Sequence, residues 1–201
     1  MPDVHVVITG SGPVSAIGIG QEAFGQAWRA GRSGIAPLAA GAQAAAPAAA
    51  AAAAIGGFDV RDYLETEKAY LDRASQLAFA AMSLAIEDAN LDLKNLDRSR
   101  IGLVFGTVCG CLESARVFIA DLLEKGPRLV KPIIFPHTYA NTTISLLAIE
   151  YGLSGFHLNF AGGLTAGAQA IAAGYEAIRR GRCSVAFVGG CNAAVIFRRA
   201  E

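Results

Sequence analysis

Residues 155 to 190 run as an apolar strand, a turn of small residues, a helix and a second apolar strand with little between them. No other part of the chain constrains the fold as much. The order is Gly155-Phe156-His157-Leu158-Asn159-Phe160, then Ala161-Gly162-Gly163-Leu164-Thr165-Ala166-Gly167, a helix to Arg180, and Val185-Ala186-Phe187-Val188 closing on Gly189-Gly190. A strand that turns sharply into a helix through glycines has the build of a nucleophile elbow, which lifts one side chain above a sheet. The residue at the apex is Leu164, which has no atom able to attack an electrophile.

The remaining periodicity fits the same architecture. Val4 to Thr9 reads as a buried strand ended by Gly10-Ser11-Gly12-Pro13, and Gln21 to Ala30 as a short helix. From Tyr70 to Asn90, Leu71, Ala74, Ala78, Ala81, Met82, Ala85 and Ile86 recur at helical spacing, and Ile101 to Gly106 forms a core strand. Glu113 to Glu124 and Thr142 to Tyr151 read as helices stopped by Gly126-Pro127 and Gly152. Alternation of this kind predicts a single α/β domain over residues 1–201 with a mostly parallel mixed sheet and helices on both faces. The alanine-rich stretch at 39–54, interrupted by Pro47, has no apolar period and reads as a low-complexity insert in a loop or loose helical turn. The ending Ile196-Phe197-Arg198-Arg199-Ala200-Glu201 reads as a polar terminus.

With 201 residues, 53% of them hydrophobic, the chain can bury a real core. Seventeen basic and seventeen acidic side chains cancel, so no charge excess draws it to nucleic acid or to an anionic membrane. No run of strongly apolar residues has membrane-spanning length, which predicts a cytoplasmic protein with its four cysteines reduced. Gly10-Ser11-Gly12 fails as a dinucleotide loop because Ser15 stands where the third glycine belongs, and no cofactor is expected. Cys109 and Cys111 lack the Cys-x-x-Cys spacing and further ligands of a metal site, so no metal is expected either.

Several runs, in order, resemble one family. Val7 to Gly18, Phe58-Asp59 before Tyr63, Asp72-Arg73-Ala74-Ser75-Gln76, Ala85 to Ala89, Glu124 to Arg128, Asn141, Tyr151 to Gly155 and Ile178 to Gly181 are similar to successive landmarks of the β-ketoacyl-acyl-carrier-protein synthases, or ketosynthases, of the thiolase fold. The resemblance covers the N-terminal half of that family and implies a layered thiolase-like fold. It implies acyl-chain elongation in which an elbow cysteine takes the acyl group and two histidines of a second half assist decarboxylation. Counted without gaps from Gly155 or back from Ile178, the family's Thr-Ala-Cys-Ala-Ser-Gly falls on Gly162 to Gly167, so Leu164 stands at the nucleophile position. None of His5, His137 or His157 matches the family's two histidines.

A relative that lacks the cysteine is the chain-length factor of type II polyketide systems, which pairs with an active ketosynthase. Its elbow wording Gln-Ala-Gly-Gly-Leu is similar to Phe160-Ala161-Gly162-Gly163-Leu164, although out of step with the ungapped count and without the glutamine. Leu164 reads either as a plug shaping an acyl tunnel or as an apolar residue packing at a disused pocket mouth. By resemblance, Val108, Cys109, Phe135, His137, Tyr139 and Asn141 are candidates for an acyl pocket or subunit interface. On residues alone, Cys109 and Cys111 read as small pocket-lining groups, Cys183 and Cys191 as inert flanks of a strand, and His137 as a hydrogen-bonded structural residue beside a turn.

The expected function is a non-catalytic, chain-length-factor-like subunit in fatty acid or polyketide synthesis. Its expected partner is an active ketosynthase or a second copy of itself, with acyl carrier protein as a further candidate. The alternative is a condensing or acyl-transfer enzyme that uses another nucleophile such as Cys109, or that is completed by a separately supplied second half.

Overall fold

The computed structural model describes residues 4–38, 50–64, 66–68, 70–190 and 192–200. Strand β1 (Val6–Ser15) grows from the first apolar run but continues through Gly10-Ser11-Gly12-Pro13, where the sequence predicts a turn. That segment pairs with residues 193–196, and its glycines are needed because the backbone of helix α2 (Arg73–Asp88) lies directly on them. A Cβ on Gly12 would fall 1.9 Å from the carbonyl oxygen of Ala81, and one on Gly10 2.4 Å from that of Ala85. Glycine here admits a helix rather than a turn, and a register shift between Ile8 and Gly10 bends the strand.

Strand β2 (Gly18–Ile19) and helix α1 (Gln21–Arg29) follow. Two short strands, β3 (Ala36–Pro37) and β4 (Ala51–Ala52), then pair antiparallel. The end of the alanine tract is therefore extended, because its backbone has a strand to bond to; residues 39–49 lie outside the described residues. Helix α2 starts at Arg73 rather than at Tyr70, since the side chain of Asp72 accepts from the backbone N–H of Ala74 at 2.9 Å and sets its first turn. The chain continues with β5 (Ile101–Thr107), α3 (Leu112–Lys125), α4 (Thr142–Glu150), β6 (His157–Ala161), α5 (Ala166–Arg179), β7 (Val185–Gly189) and β8 (Ala193–Arg199).

The main sheet has the order β2-β1-β8-β7-β5-β6. β5 runs parallel to β6 and β7, while β8 is antiparallel to both β7 and β1. It follows that β1, β5, β6 and β7 all point one way, giving the mostly parallel, mixed sheet that the alternation predicts. β8 is the element that the sequence reading lacks. Ile196 to Arg199, read as a polar terminus, is the second half of a strand inside the sheet, with Ile196 and Phe197 buried. Its signal was the close of a hairpin, in which Gly190 N–H donates to the Ala193 carbonyl at 2.9 Å.

Strand alternation divides the core between the two faces. Ile101, Leu103, Phe105, Val185, Phe187, Ala194 and Ile196 pack on one side with Phe79 and Met82 of α2 and Leu147 of α4. Val104, Ala186, Val188 and Phe197 pack on the other with Ala170, Ala177 and Ile178 of α5. Helices thus cover both faces, as expected.

Candidate functional site at the carboxyl edge of the sheet

The three neighbouring parallel strands β5, β6 and β7 end at one edge, with Thr107 paired to Ala161 and Phe105 to Gly189. Ligands of open α/β sheets bind at such carboxyl ends. Beyond β6, the chain passes Gly162 and then Gly163 at φ +82°, a left-handed conformation that favours glycine, makes one tight turn over Gly163–Thr165 and enters α5 at Ala166. The first turn of α5 can sit this low because β5 carries Gly106: a Cβ there would lie 2.5 Å from the Ala166 carbonyl oxygen.

Leu164 stands at the apex of this elbow, as the sequence indicates, and it is 97% exposed. Among the described residues none covers it.

The loop after β5 lies on the same edge. Thr107 Oγ1 accepts from the Gly110 N–H at 2.9 Å, and Gly110, at φ +57°, has its open side against Ala140, whose Cα a Cβ would approach to 2.5 Å. This contact brings Val108 and Cys109 toward the 135–141 segment. Val108 is 56% exposed, Phe135 47% and Tyr139 50%, and Cys109 and Asn141 are exposed too. Phe135 packs its ring against Phe118 at 5.4 Å and Tyr139 at 5.3 Å. His137 meets the ring of Tyr70 edge-on at 5.0 Å, and its buried Nδ1 has no hydrogen-bonding partner among the described residues. Aromatic packing against Tyr70 helps to position the imidazole.

Behind these residues is a buried polar cluster, of which the sequence reading gave a site role, as pocket lining, to Cys111 alone. Asp72 Oδ2 accepts from the backbone N–H of Ser114 at 3.1 Å and from its hydroxyl at 2.8 Å, and Tyr70 OH is 2.8 Å from the same hydroxyl. Ser75 and Thr143 hydroxyls meet at 2.9 Å, with Cys111 Sγ 3.6 Å from Thr143 Oγ1. Asp72, Ser75, Ser114, Cys111 and Thr143 are all buried. The cluster fixes α2, the start of α3 and the start of α4 to one another. Asp72 was legible as a cap before an apolar period, but its partners are distant in sequence.

Cysteine environments differ in a way that alkylation can read. Cys109 is exposed, whereas Cys111 and Cys183 are buried, and burial pushes the Cys183 thiol above its ordinary range. Cys191 lies outside the described residues. Iodoacetamide followed by peptide mass mapping is expected to modify Cys109 rapidly in native protein, and Cys111 and Cys183 only after denaturation. Among the described residues no group of His, Cys, Asp or Glu side chains could hold a metal, and no helix is long and apolar enough to cross a membrane.

Comparison with known proteins places this geometry. The profile of the β-ketoacyl synthase N-terminal domain matches residues 3–198. The 3-oxoacyl-acyl-carrier-protein synthase 2 of Synechocystis sp. is 30% identical over 192 residues, covering 95% of this chain and 46% of the relative. The chloroplastic 3-oxoacyl-acyl-carrier-protein synthase I of Arabidopsis thaliana is 31% identical over 199 residues, covering 97% of this chain and 42% of the relative. The chain thus spans about half the length of the curated relatives it matches. The solved ishigamide ketosynthase/chain length factor superposes with a TM-score of 0.85 at 22% identity, over 98% of this chain and 58% of that one. That likeness establishes a thiolase-like ketosynthase fold.

Proposed function

Because this chain belongs to the β-ketoacyl synthase family, through an N-terminal domain matched over residues 3–198, we propose that it is a non-catalytic ketosynthase-like subunit. In this role, similar to that of a chain-length factor, it partners an active β-ketoacyl-acyl-carrier-protein synthase in fatty acid or type II polyketide chain elongation. The observation that carries the reading is Leu164. It occupies the apex of a strand-turn-helix elbow and is 97% exposed, where an acyl acceptor would need a thiol or hydroxyl. A leucine forms no thioester, so an acyl chain would have to be loaded on the partner.

The surface offered for pairing or acyl contact is formed by Val108, Cys109, Phe135, His137, Tyr139 and Asn141. Its exposed apolar and aromatic groups, beside the buried Asp72 cluster, are of the kind that a subunit interface covers. The similar curated proteins are named for acyl-carrier-protein substrates, which supports acyl carrier protein as a further partner.

One observation favours a second reading, an acyl-transfer enzyme acting through another nucleophile: Cys109 is exposed on the same edge as the elbow. A single experiment separates the two. The protein is purified at native expression level, its assembly mass is measured by light scattering, every co-purifying chain is identified, and the preparation is incubated with acyl-loaded carrier protein before mass mapping. Equal amounts of this chain and a cysteine-bearing ketosynthase, with the acyl adduct on the ketosynthase alone, are expected. Purification without a synthase would remove the accessory role, and an acyl adduct on Cys109 would replace it by the enzymatic one.

A further inference from the structure

The chain between Gly56 and Asp72 is fastened by side chains rather than by its backbone. Gly56 and Gly57 open it, with Gly57 at φ +63° and nothing within 4 Å of where either Cβ would stand, so the backbone turns there free of packing restraint. Phe58, Val60, Tyr63, Leu64 and Leu71 then lie against the core on the α2 and α4 side of the sheet. Beyond the short turn Val60–Tyr63, none of the described residues from 64 to 71 makes a backbone-to-backbone hydrogen bond. Asp72, the cap of α2, gives the segment a fixed end.

Three anchors on other elements hold it down. Glu150, the last residue of α4, has a side chain 1% exposed, and it accepts from the Thr66 N–H at 3.0 Å, from the Thr66 hydroxyl at 2.7 Å and from the ammonium group of Lys68. Tyr70 OH meets the Ser114 hydroxyl of α3 at 2.8 Å, and the Gln76 amide of α2 donates to the Leu71 carbonyl at 3.1 Å. A carboxylate at the carboxyl end of a helix opposes the macrodipole, and a buried charge without its partner is costly. Helix α4 therefore tolerates Glu150 only while Lys68 is in place. Between the anchors the packing is loose: a cleft of about 550 Å³ is lined by Val60, Leu64, Lys68, Tyr70, Leu71 and Gln76. Few backbone bonds and loose packing mark the part of a fold that opens first.

We infer that the strap carrying Thr66, Lys68 and Tyr70 opens as one unit, swinging on Gly56-Gly57, and that the Lys68–Glu150 ion pair is the latch that keeps it shut. Lys68 is 17% exposed, so water reaches the latch and the pair can part while the core beneath stays folded. When the strap opens, Tyr70 leaves both the Ser114 hydroxyl and the ring of His137. The latch thus sets whether His137 stands where ring packing puts it: a charge pair at the end of α4 governs an imidazole in the segment before α4, through one tyrosine.

The latch goes beyond the proposed synthase pairing, and its test needs no partner: hydrogen–deuterium exchange of the purified full chain, read by mass spectrometry. In the parent, peptides carrying Leu64, Thr66, Lys68 and Tyr70 are expected to exchange by local opening, ahead of peptides from β5 and β7. Lys68→Met strands the Glu150 carboxylate and is expected to speed that exchange about tenfold, with β5 and β7 as in the parent. Adding Glu150→Gln removes the stranded charge, keeps an acceptor for Thr66 and is expected to recover most of the protection. The Cε1–H resonance of His137, assigned by its loss in His137→Gln, is expected to shift in Lys68→Met and to return in the double variant, a change that lowered stability alone would not produce. If Lys68→Met does not fold, Thr66→Val, which removes one neutral bond to Glu150, carries the same two readouts. A parent whose strap exchanges only together with β5 and β7, a Lys68→Met protein with parental exchange, a double variant as fast as the single one, or an unmoved His137 resonance would each overturn the inference.

Discussion

Gly12→Val is expected to lower the thermal midpoint by about 10 °C, the consequence of roughly 3 kcal/mol lost in a domain of this size. The β-carbon would arrive 1.9 Å from the Ala81 carbonyl oxygen and 2.7 Å from the Ala85 nitrogen, both backbone atoms of α2. A flexible side chain could swing aside, but here a whole helix must lift from β1. Lifting it would unpack Phe79 and Met82, which are fully buried over the sheet centre. The matched control is Gly25→Ala in α1, where the new methyl meets only the end of the Arg29 side chain at 3.5 Å. That change is expected to stabilise by up to about 1 kcal/mol, because alanine is the better helix former. Differential scanning calorimetry of the two variants beside the parent reads both signs, and a Gly12→Val protein melting with the parent would mean that α2 does not rest on β1 as described.

The same glycines show where the sequence could be read and where it could not. Helices α1 to α5 and strands β5 and β7 follow from local periodicity and caps, and the elbow follows from its small residues. Gly10-Ser11-Gly12 has the composition of a turn, and its pairing with β8 keeps it in a strand, while its glycines admit α2, more than sixty residues away. β8 was missed for a related reason: its two arginines near the end gave it a polar look, whereas its pairing with β1 and β7 depends on partners that no local window contains. At the candidate site, the position of Leu164 was legible from counting but its exposure was not, since burial belongs to the neighbours and not to the residue. His137 shows the converse, a polar side chain held by ring packing against Tyr70, a residue 67 positions earlier that nothing in the sequence linked to it.

Asp72 joins these levels, and Asp72→Ala is expected to cost about 3 kcal/mol. Loss of the cap on α2 accounts for about 1 kcal/mol. Leaving the buried Ser114 N–H without its acceptor adds about 1–3 kcal/mol, with the Ser114 hydroxyl retaining Tyr70 as its neighbour. Asp72→Asn keeps a capping oxygen but gives up the charge-assisted acceptor, so its cost should fall between alanine and the parent. Glu113→Gln, which breaks the exposed pair with Arg116 one residue away from Ser114, is expected to leave the midpoint unchanged, since exposed ion pairs contribute little. Urea titrations of these variants with Ser114→Ala form a double-mutant cycle, in which a coupling near zero between positions 72 and 114 would show that the buried pair does not act as a unit. The same loss should reach the candidate site: Ser114 holds Tyr70, Tyr70 abuts His137, and His137 lies between Phe135 and Tyr139. Asp72→Ala is therefore expected to weaken any partner bound at that surface even where the variant remains folded, whereas Glu113→Gln is not.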